Sequence, residues 1–387
     1  MSTSTRDAAR AVLEAHWRDP GFTCPNAATY PWLWLWDSCF HAIVWAALGE
    51  GERACSELSL ALGAQDADGF VPHVQYLDGS HEHDAFWGRP ATSSITQPPV
   101  HAHAVVELAR RGVEVPDEVV ERSVAGLRFL LERRRRSPSG LVELVHPWES
   151  GCDHSPRWDD LMGVRFDEAV WFRRKGELLR GIRRSAAGAP LANDDFPVGS
   201  VAFSAIVAHG ARELGGWCGD GALVAAAAEL ADALASRWEP GRRTFVDDGP
   251  TATGSGRVRT SEALLPLLVV DDPEIRRDAA AELHDPDALG GDFGPAQVHR
   301  DEPTHSPGSY WRGPSWPQLD YLLWVALGPL AGARLAATSA EGAVRSGFAE
   351  YWDPDTAAPG GAVPQSWSTL AVLMEGSEKG SNDTKSV

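Results

Sequence analysis

Between His146 and Asp160 the chain reads HPWESGCDHSPRWDD, which places Glu149, Asp153, Asp159, Asp160, Trp148, Trp158 and Arg157 within fifteen residues. Gly151 and Pro156 interrupt any regular helix, so a loop is expected. Carboxylates and indoles in one loop suit sugar chemistry. Sugar rings offer apolar C–H faces for stacking and hydroxyls for carboxylates, and a glycosidic bond is cut by two carboxyl groups acting on opposite faces. A carboxyl walled by Trp148 and Trp158 would be desolvated, which raises its pKa as a general acid requires. The same residues would also make a surface loop with aspartate caps and a tryptophan anchor, and taken alone they leave both readings open. Cys152 has no dedicated histidine partner and is not read as a nucleophile.

Other stretches carry similar groups. In YPWLWLWDSCF an extended backbone would put Trp32, Trp34 and Trp36 on one face, a platform for a sugar, with Asp37 below it to hold hydroxyls. Asp37 or Ser38 would cap a helix running to about Leu48. Gln97 stands before a helix whose first turn is expected to hold Pro98 and Pro99. The HEHD run at 81–84 has no spacing of a closed metal site, so a solvated loop is expected there, with Trp87 reaching toward the cleft. Tyr310, Trp311, Arg312 and Trp316 crowd a Gly/Pro turn, where the Arg312 fork would either grip a ligand carboxylate or tie down its loop. Glu350 is expected at a helix end, facing a turn with Trp352, Asp353 and Asp355.

These motifs, in this order, resemble glycoside hydrolase family 63, especially the bacterial branch that includes mannosylglycerate and glucosylglycerate hydrolases. ESGCDHSPRWD is similar to the family's acid-bearing loop, YPWLWLWD to its subsite segment, YWRGPSWP to its substrate wall, and the EYWDPDTA…SWST region to its base motif. The resemblance spans about residues 30 to 370. It implies inverting hydrolysis of an α-glycoside, with Asp153 as general acid and Glu350 as general base. Trp34, Trp36, Trp311 and Trp316 would form walls, Asp37 would bind the non-reducing sugar, and Gln97, Tyr310 and Arg312 would hold the aglycone. Tyr30 matches a subsite contact. No cofactor and no metal is implied. Ala357 stands where the family has glycine, and Cys152 and His154 stand where it more often has an aromatic residue and asparagine.

The elements that must position these groups read as helices. Apolar positions recur at helical spacing over 6–17, 37–48, 51–64, 99–111, 116–134, 199–214, 221–237, 259–269 and 275–284, mostly in pairs joined by short turns. Strand signals are confined to about 70–76 and 243–246. Paired helices with long aromatic loops suggest an all-α (α/α)6 toroid, one domain over 1–376, followed by a polar tail over 377–387 expected to be disordered. The arginine run 133–136 is expected to be a solvated helix end. The basic segment 173–184 has no evident role.

Composition narrows the partners. A formal charge of −19 disfavours nucleic acid and anionic membranes, and sixteen tryptophans exceed what core packing ordinarily uses. A small carbohydrate is the expected partner; oligomeric state is not legible. Five cysteines without paired spacing suggest reduced thiols, and no apolar leader or membrane-spanning run is present, so a cytoplasmic location is expected. Two rival classes remain: a sugar epimerase on the same toroid, using some of the thirteen histidines, and a non-catalytic sugar-binding module.

Overall fold

Two kinds of helix follow from two kinds of apolar pattern. In the computed structural model, which describes residues 4–163 and 166–375, α1 (Thr5–His16) is amphipathic and buries Ala9, Leu13 and His16, whereas α2 (Leu35–Ala47) is buried on every side from Leu35 to Ala46. A helix apolar all round must lie inside, and one with a single stripe must lie outside. The amphipathic α3 (Gly51–Ala61) follows, then the one-turn α4 (Asp84–Trp87) in a loop, the buried α5 (His101–Arg110) and the amphipathic α6 (Asp117–Arg128). Next come α7 (Asp159–Met162), α8 (Glu168–Leu178), α9 (Val201–Cys218) and α10 (Gly221–Ala235). The chain closes with α11 (Pro273–His284), α12 (Pro317–Ala331), α13 (Ala333–Arg345) and α14 (Ala371–Met374). The stripe on α10 is Leu223, Ala227, Leu230 and Leu234, spaced to face one side.

The inner elements form a closed ring. α2 packs on α5, α5 on α9, α9 on a 3-10 segment at Glu262–Leu268, that segment on α12, α12 on a second 3-10 segment at Ser366–Leu370, and this last one back on α2. Five of the six have an outer partner: α1 backs the 366–370 segment, α3 backs α2, α6 backs α5, α10 backs α9, and α13 backs α12. This is an (α/α)6 toroid. The β-structure consists of short antiparallel pairs at the ends of the loops, such as Leu33–Trp34 with Val74–Gln75. Among the described residues no helix is long and apolar enough to cross a membrane.

Several expectations are corrected here. The helix expected over 259–269 is 3-10, with Pro266 inside it removing a backbone donor. Pro98 and Pro99 precede α5 rather than filling its first turn. α2 begins at Leu35, so Asp37 lies in its first turn and caps nothing, and Trp32 does not join Trp34 and Trp36 on one face. Trp32 packs instead against Tyr76 and His83. The arginine run is solvated only in part: Arg133 is exposed, but Arg134 is buried against Glu149, and Arg136 bonds the carbonyls of Leu131 and Gly140. Glu350 follows α13 by several residues and leads into the Tyr351–Trp352 strand. The 377–387 tail lies outside the described residues.

Candidate active site

At one end of the toroid a cavity of about 430 Å3, counting its open mouth, is lined by Tyr30, Trp34, Trp36, Asp37, Gln97, Gly151, Asp153, Tyr310, Trp311 and Glu350, with Pro25, Gln365 and Trp367. A second cavity of about 510 Å3 adjoins it, lined by Trp34, His73, Trp87, Gln97, Trp148 and Asp153. Trp34, Gln97 and Asp153 belong to both. Glu350 and Asp37 line only the first. Asp153 therefore stands where two adjoining chambers meet.

The loop carrying Asp153 is tied at both ends. On the N-terminal side Glu149, fully buried, accepts from Arg134 Nη1 at 2.6 Å and Nη2 at 3.0 Å, and from the amides of Val145 at 2.9 Å and Thr96 at 3.2 Å. On the C-terminal side buried Arg157 reaches Asp247 at 2.5 Å, and Trp158 Nε1 donates to the Cys152 carbonyl at 2.8 Å. Ser155 Oγ donates to Glu262 at 2.9 Å. Between these ties Gly151 takes a left-handed φ of 73°, and a Cβ there would come within 2.5 Å of the Trp36 ring.

Glu350 is built from the other side of the ring. Its Oε1 accepts from the Tyr30 hydroxyl at 3.1 Å, and its Oε2 accepts from the Ala362 amide at 2.9 Å. Gly361 passes so close that a Cβ would lie 2.3 Å from Oε2. Ala357, where the family resemblance expects glycine, has a left-handed φ of 57°. The turn conformation that glycine serves is thus kept with alanine.

Burial sets the electrostatics. Desolvation raises the Asp153 carboxyl above its ordinary range, and the nearby Lys175 ammonium opposes that rise. Desolvation also raises Glu350, against the bonds from Ala362, Tyr30 and Tyr310 that favour its ionised form; the charge of Asp153 adds to the rise. Asp37, 2 % exposed, is pushed well above the carboxylate range, first by desolvation. Its Oδ1, Gln365 Oε1 and Trp34 Nε1 are buried with no hydrogen-bond partner in the protein. Two acceptors and a donor left open in an aromatic-walled chamber match the alternating hydroxyls of a sugar.

Two of the residues read from sequence do not line either cavity. Trp316 stacks on Trp311 with ring centroids 3.5 Å apart and supports it from behind. Arg312 spends its fork on Asp159 and lies over Phe166 at 4.1 Å, so it ties the 310–316 turn to α7. Tyr310 lines the Glu350 chamber, not the adjoining one. Sequence reading missed His73, Gln365 and Lys175. Lys175 is 1 % exposed, with its Nζ 5.5 Å over the Trp148 ring; desolvation lowers its pKa while Asp153 opposes the change. Its helix reads as an exposed basic run, which hides a lysine that points inward. In the HEHD stretch His81 and Glu82 are exposed, whereas His83 is half-buried and stacked on Tyr76, and His81 Nδ1 lies 2.8 Å from the half-buried Asp84. All five cysteines are free.

Comparison with known proteins identifies the family and the fold. Residues 30–368 match the family described as mannosylglycerate hydrolase MGH1-like glycoside hydrolase domain. The chain is 30% identical to a mannosylglycerate hydrolase of Thermus thermophilus, over 91% of this chain and 96% of that one. It is also 30% identical to a glucosylglycerate hydrolase of Mycolicibacterium hassiacum, over 96% and 98%. The crystal structure of a family 63 mannosylglycerate hydrolase from Thermus thermophilus in complex with Tris and D-glycerate superposes with a TM-score of 0.82 at 28% identity, covering 96% of this chain and 99% of that one.

Proposed function

The chain belongs to the mannosylglycerate hydrolase MGH1-like glycoside hydrolase family, and from that premise we propose that it hydrolyses a small α-glucoside or α-mannoside of glycerate, with inversion at the anomeric carbon. The observation that carries the reading is the position of Asp153 between two chambers while Glu350 lines only one. A bond cleaved at that boundary leaves the sugar on the Glu350 side and the aglycone on the Trp87 and Trp148 side.

In this reading the sugar ring lies among Trp34, Trp36, Trp311 and Trp367, with hydroxyls on Asp37 and Gln365. Asp153 gives its proton to the glycosidic oxygen as the bond to the anomeric carbon breaks. Desolvation suits it to this step by keeping the proton on at higher pH than a free aspartate would. Glu350, held by Tyr30 and the Ala362 amide, takes a proton from a water that attacks the opposite face. Inversion requires room for that water, so the carboxyl groups should stand roughly 6.5–9.5 Å apart. Support for the glycerate aglycone comes from the substrates named for both curated relatives and from the D-glycerate held by the Thermus structure.

The test is proton NMR of the reaction with α-glucosylglycerate and α-mannosylglycerate. Early appearance of β-glucose or β-mannose supports inversion and names the sugar. Early appearance of the α-anomer rejects the assigned roles, because retention requires a carboxylate nucleophile. The other rival classes give no free sugar at all.

A further inference from the structure

Away from both cavities, α5 and α9 face each other across a buried polar cluster that the hydrolysis does not use. His209 and Glu213 lie one turn apart on α9, and His103 meets them from α5. One ligand atom from each of the three lies within 4.8 Å of the other two. We infer that His103, His209 and Glu213 form a binding site for a divalent transition-metal ion of the zinc type, which would pin two adjacent members of the inner ring together.

The donor set is the first argument. Two imidazoles and one carboxylate are the borderline N/O ligands that suit Zn2+ and Co2+, with water completing a four-coordinate shell. The orientation of the ligands is the second. His103 Nδ1 is 2.6 Å from Glu213 Oε2 and its Nε2 is 2.9 Å from the Tyr321 hydroxyl; an ion would take the place of the Nδ1 proton, with Nε2–H then donating to Tyr321. A ligating histidine is commonly fixed by such a bond on its other nitrogen. Arg110 Nη1 holds Glu213 Oε1 at 2.8 Å, which leaves Oε2 for the two rings. Glu107 shares Arg110, also at 2.8 Å, and offsets its charge.

His209 is the third argument. It is 6 % exposed; its Nε2 lies 3.1 Å from Glu213 Oε2, and its Nδ1 has no hydrogen-bond partner. A buried ring with its bonding capacity unmet is costly unless something else fills it. Bonds of about 2.0–2.2 Å in a tetrahedron put ligand atoms roughly 3.3 Å apart. The spacings of 2.6 and 3.1 Å to Glu213 are shorter than this and all three ligand atoms lie within 4.8 Å, so an ion would draw the two rings around it as Glu213 turns outward, and the partly exposed edge of Glu213 gives the ion its way in.

The experiment is titration of the chelator-stripped full chain with Co2+, read by visible absorption, together with Zn2+ read by thermal melting. The expected result is one Co2+ per chain with intense tetrahedral bands and a raised Tm with Zn2+. His209→Ala and Glu213→Gln should lose the bands, and Tyr321→Phe should weaken binding about 10–100-fold. All variants keep the His81 to Asp84 run, so adventitious binding there is common to every sample. Absence of bands and of a Tm rise in the wild type overturns the inference and leaves a hydrogen-bonded clamp. Unchanged bands in both His209→Ala and Glu213→Gln overturn it too, by placing the ion elsewhere.

Discussion

Asp153 and Glu350 carry the same functional group in different surroundings, and the proposed roles rest on that difference. Among the described residues Asp153 has no hydrogen-bond donor fixing it in the ionised form and sits where two chambers meet, whereas Glu350 is bonded to Tyr30 and to the Ala362 amide. Asp153→Asn and Glu350→Gln should each lower kcat by at least about 10²–10⁴-fold, the range of general acid–base catalysis, with an unchanged circular dichroism spectrum. Near-normal turnover in either variant removes that residue from its role. The pH profile gives a second check. In the proposed mechanism the active form has Asp153 protonated and Glu350 ionised, so kcat/KM should fall on the alkaline side as Asp153 ionises. Lys175 opposes the rise of the Asp153 pKa. Lys175→Met should therefore let Asp153 keep its proton to higher pH and move the alkaline limb upward; a limb that stays put or moves down contradicts that coupling. The chemical identity of the acid and base candidates was legible in sequence through the motifs around them. The lysine was not, because inward direction within a basic helix depends on how that helix packs.

Among the elements, the loop from Glu149 to Trp158 holds its shape through buried charges on either flank. Breaking a buried pair leaves the remaining charge without a partner, so Arg134→Ala should destabilise the protein by about 3–5 kcal/mol in urea unfolding, far more than the loss of an exposed helix-end arginine. A change below about 1 kcal/mol would mean that the Glu149 pair does not anchor the loop. Gly151→Ala should cost roughly 1–2 kcal/mol for the left-handed backbone alone. Its Cβ would also press on the Trp36 ring, so kcat/KM should drop with it. Normal kinetics in this variant would show that the ring has room to give. The helical periodicity was legible in the outer helices, where one stripe is apolar, and in the Ala-rich α9 and α10. It failed at 262–268, where the apolar run is real but Pro266 turns it into a 3-10 segment. It failed again at 133–136, where charge suggested solvent and the partner was a glutamate from the central loop.

The whole molecule is a ring, and a ring must be closed. Its first and last parts meet: α1 packs on the 366–370 segment, Asn26 Nδ2 donates to the Pro364 carbonyl at 2.8 Å, and Tyr30 reaches Glu350. The active-site chamber thus depends on contacts between residues more than 300 positions apart. Leu13, fully buried on α1, belongs to this closure. Leu13→Ala should cost about 2–5 kcal/mol and shift a single unfolding transition, since Leu13 belongs to the main hydrophobic cluster shared by the inner helices. An early separate transition would instead show that α1 unfolds on its own.

By itself the sequence determined the class of fold and the kind of chemistry. Apolar spacing is a local property, and so is a motif that sets a carboxylate among indoles, glycine and proline. Those features led to the toroid, to a glycoside hydrolase of family 63 and to the pair of candidate carboxylates. Tertiary structure alone decided which groups face the same space. It gave Arg312 to Asp159, put Trp316 behind Trp311, turned Lys175 toward Asp153 and divided the cleft into two chambers at Asp153. These are contacts between distant parts of the chain, and they depend on how the helices pack around the ring rather than on the spacing of residues along it.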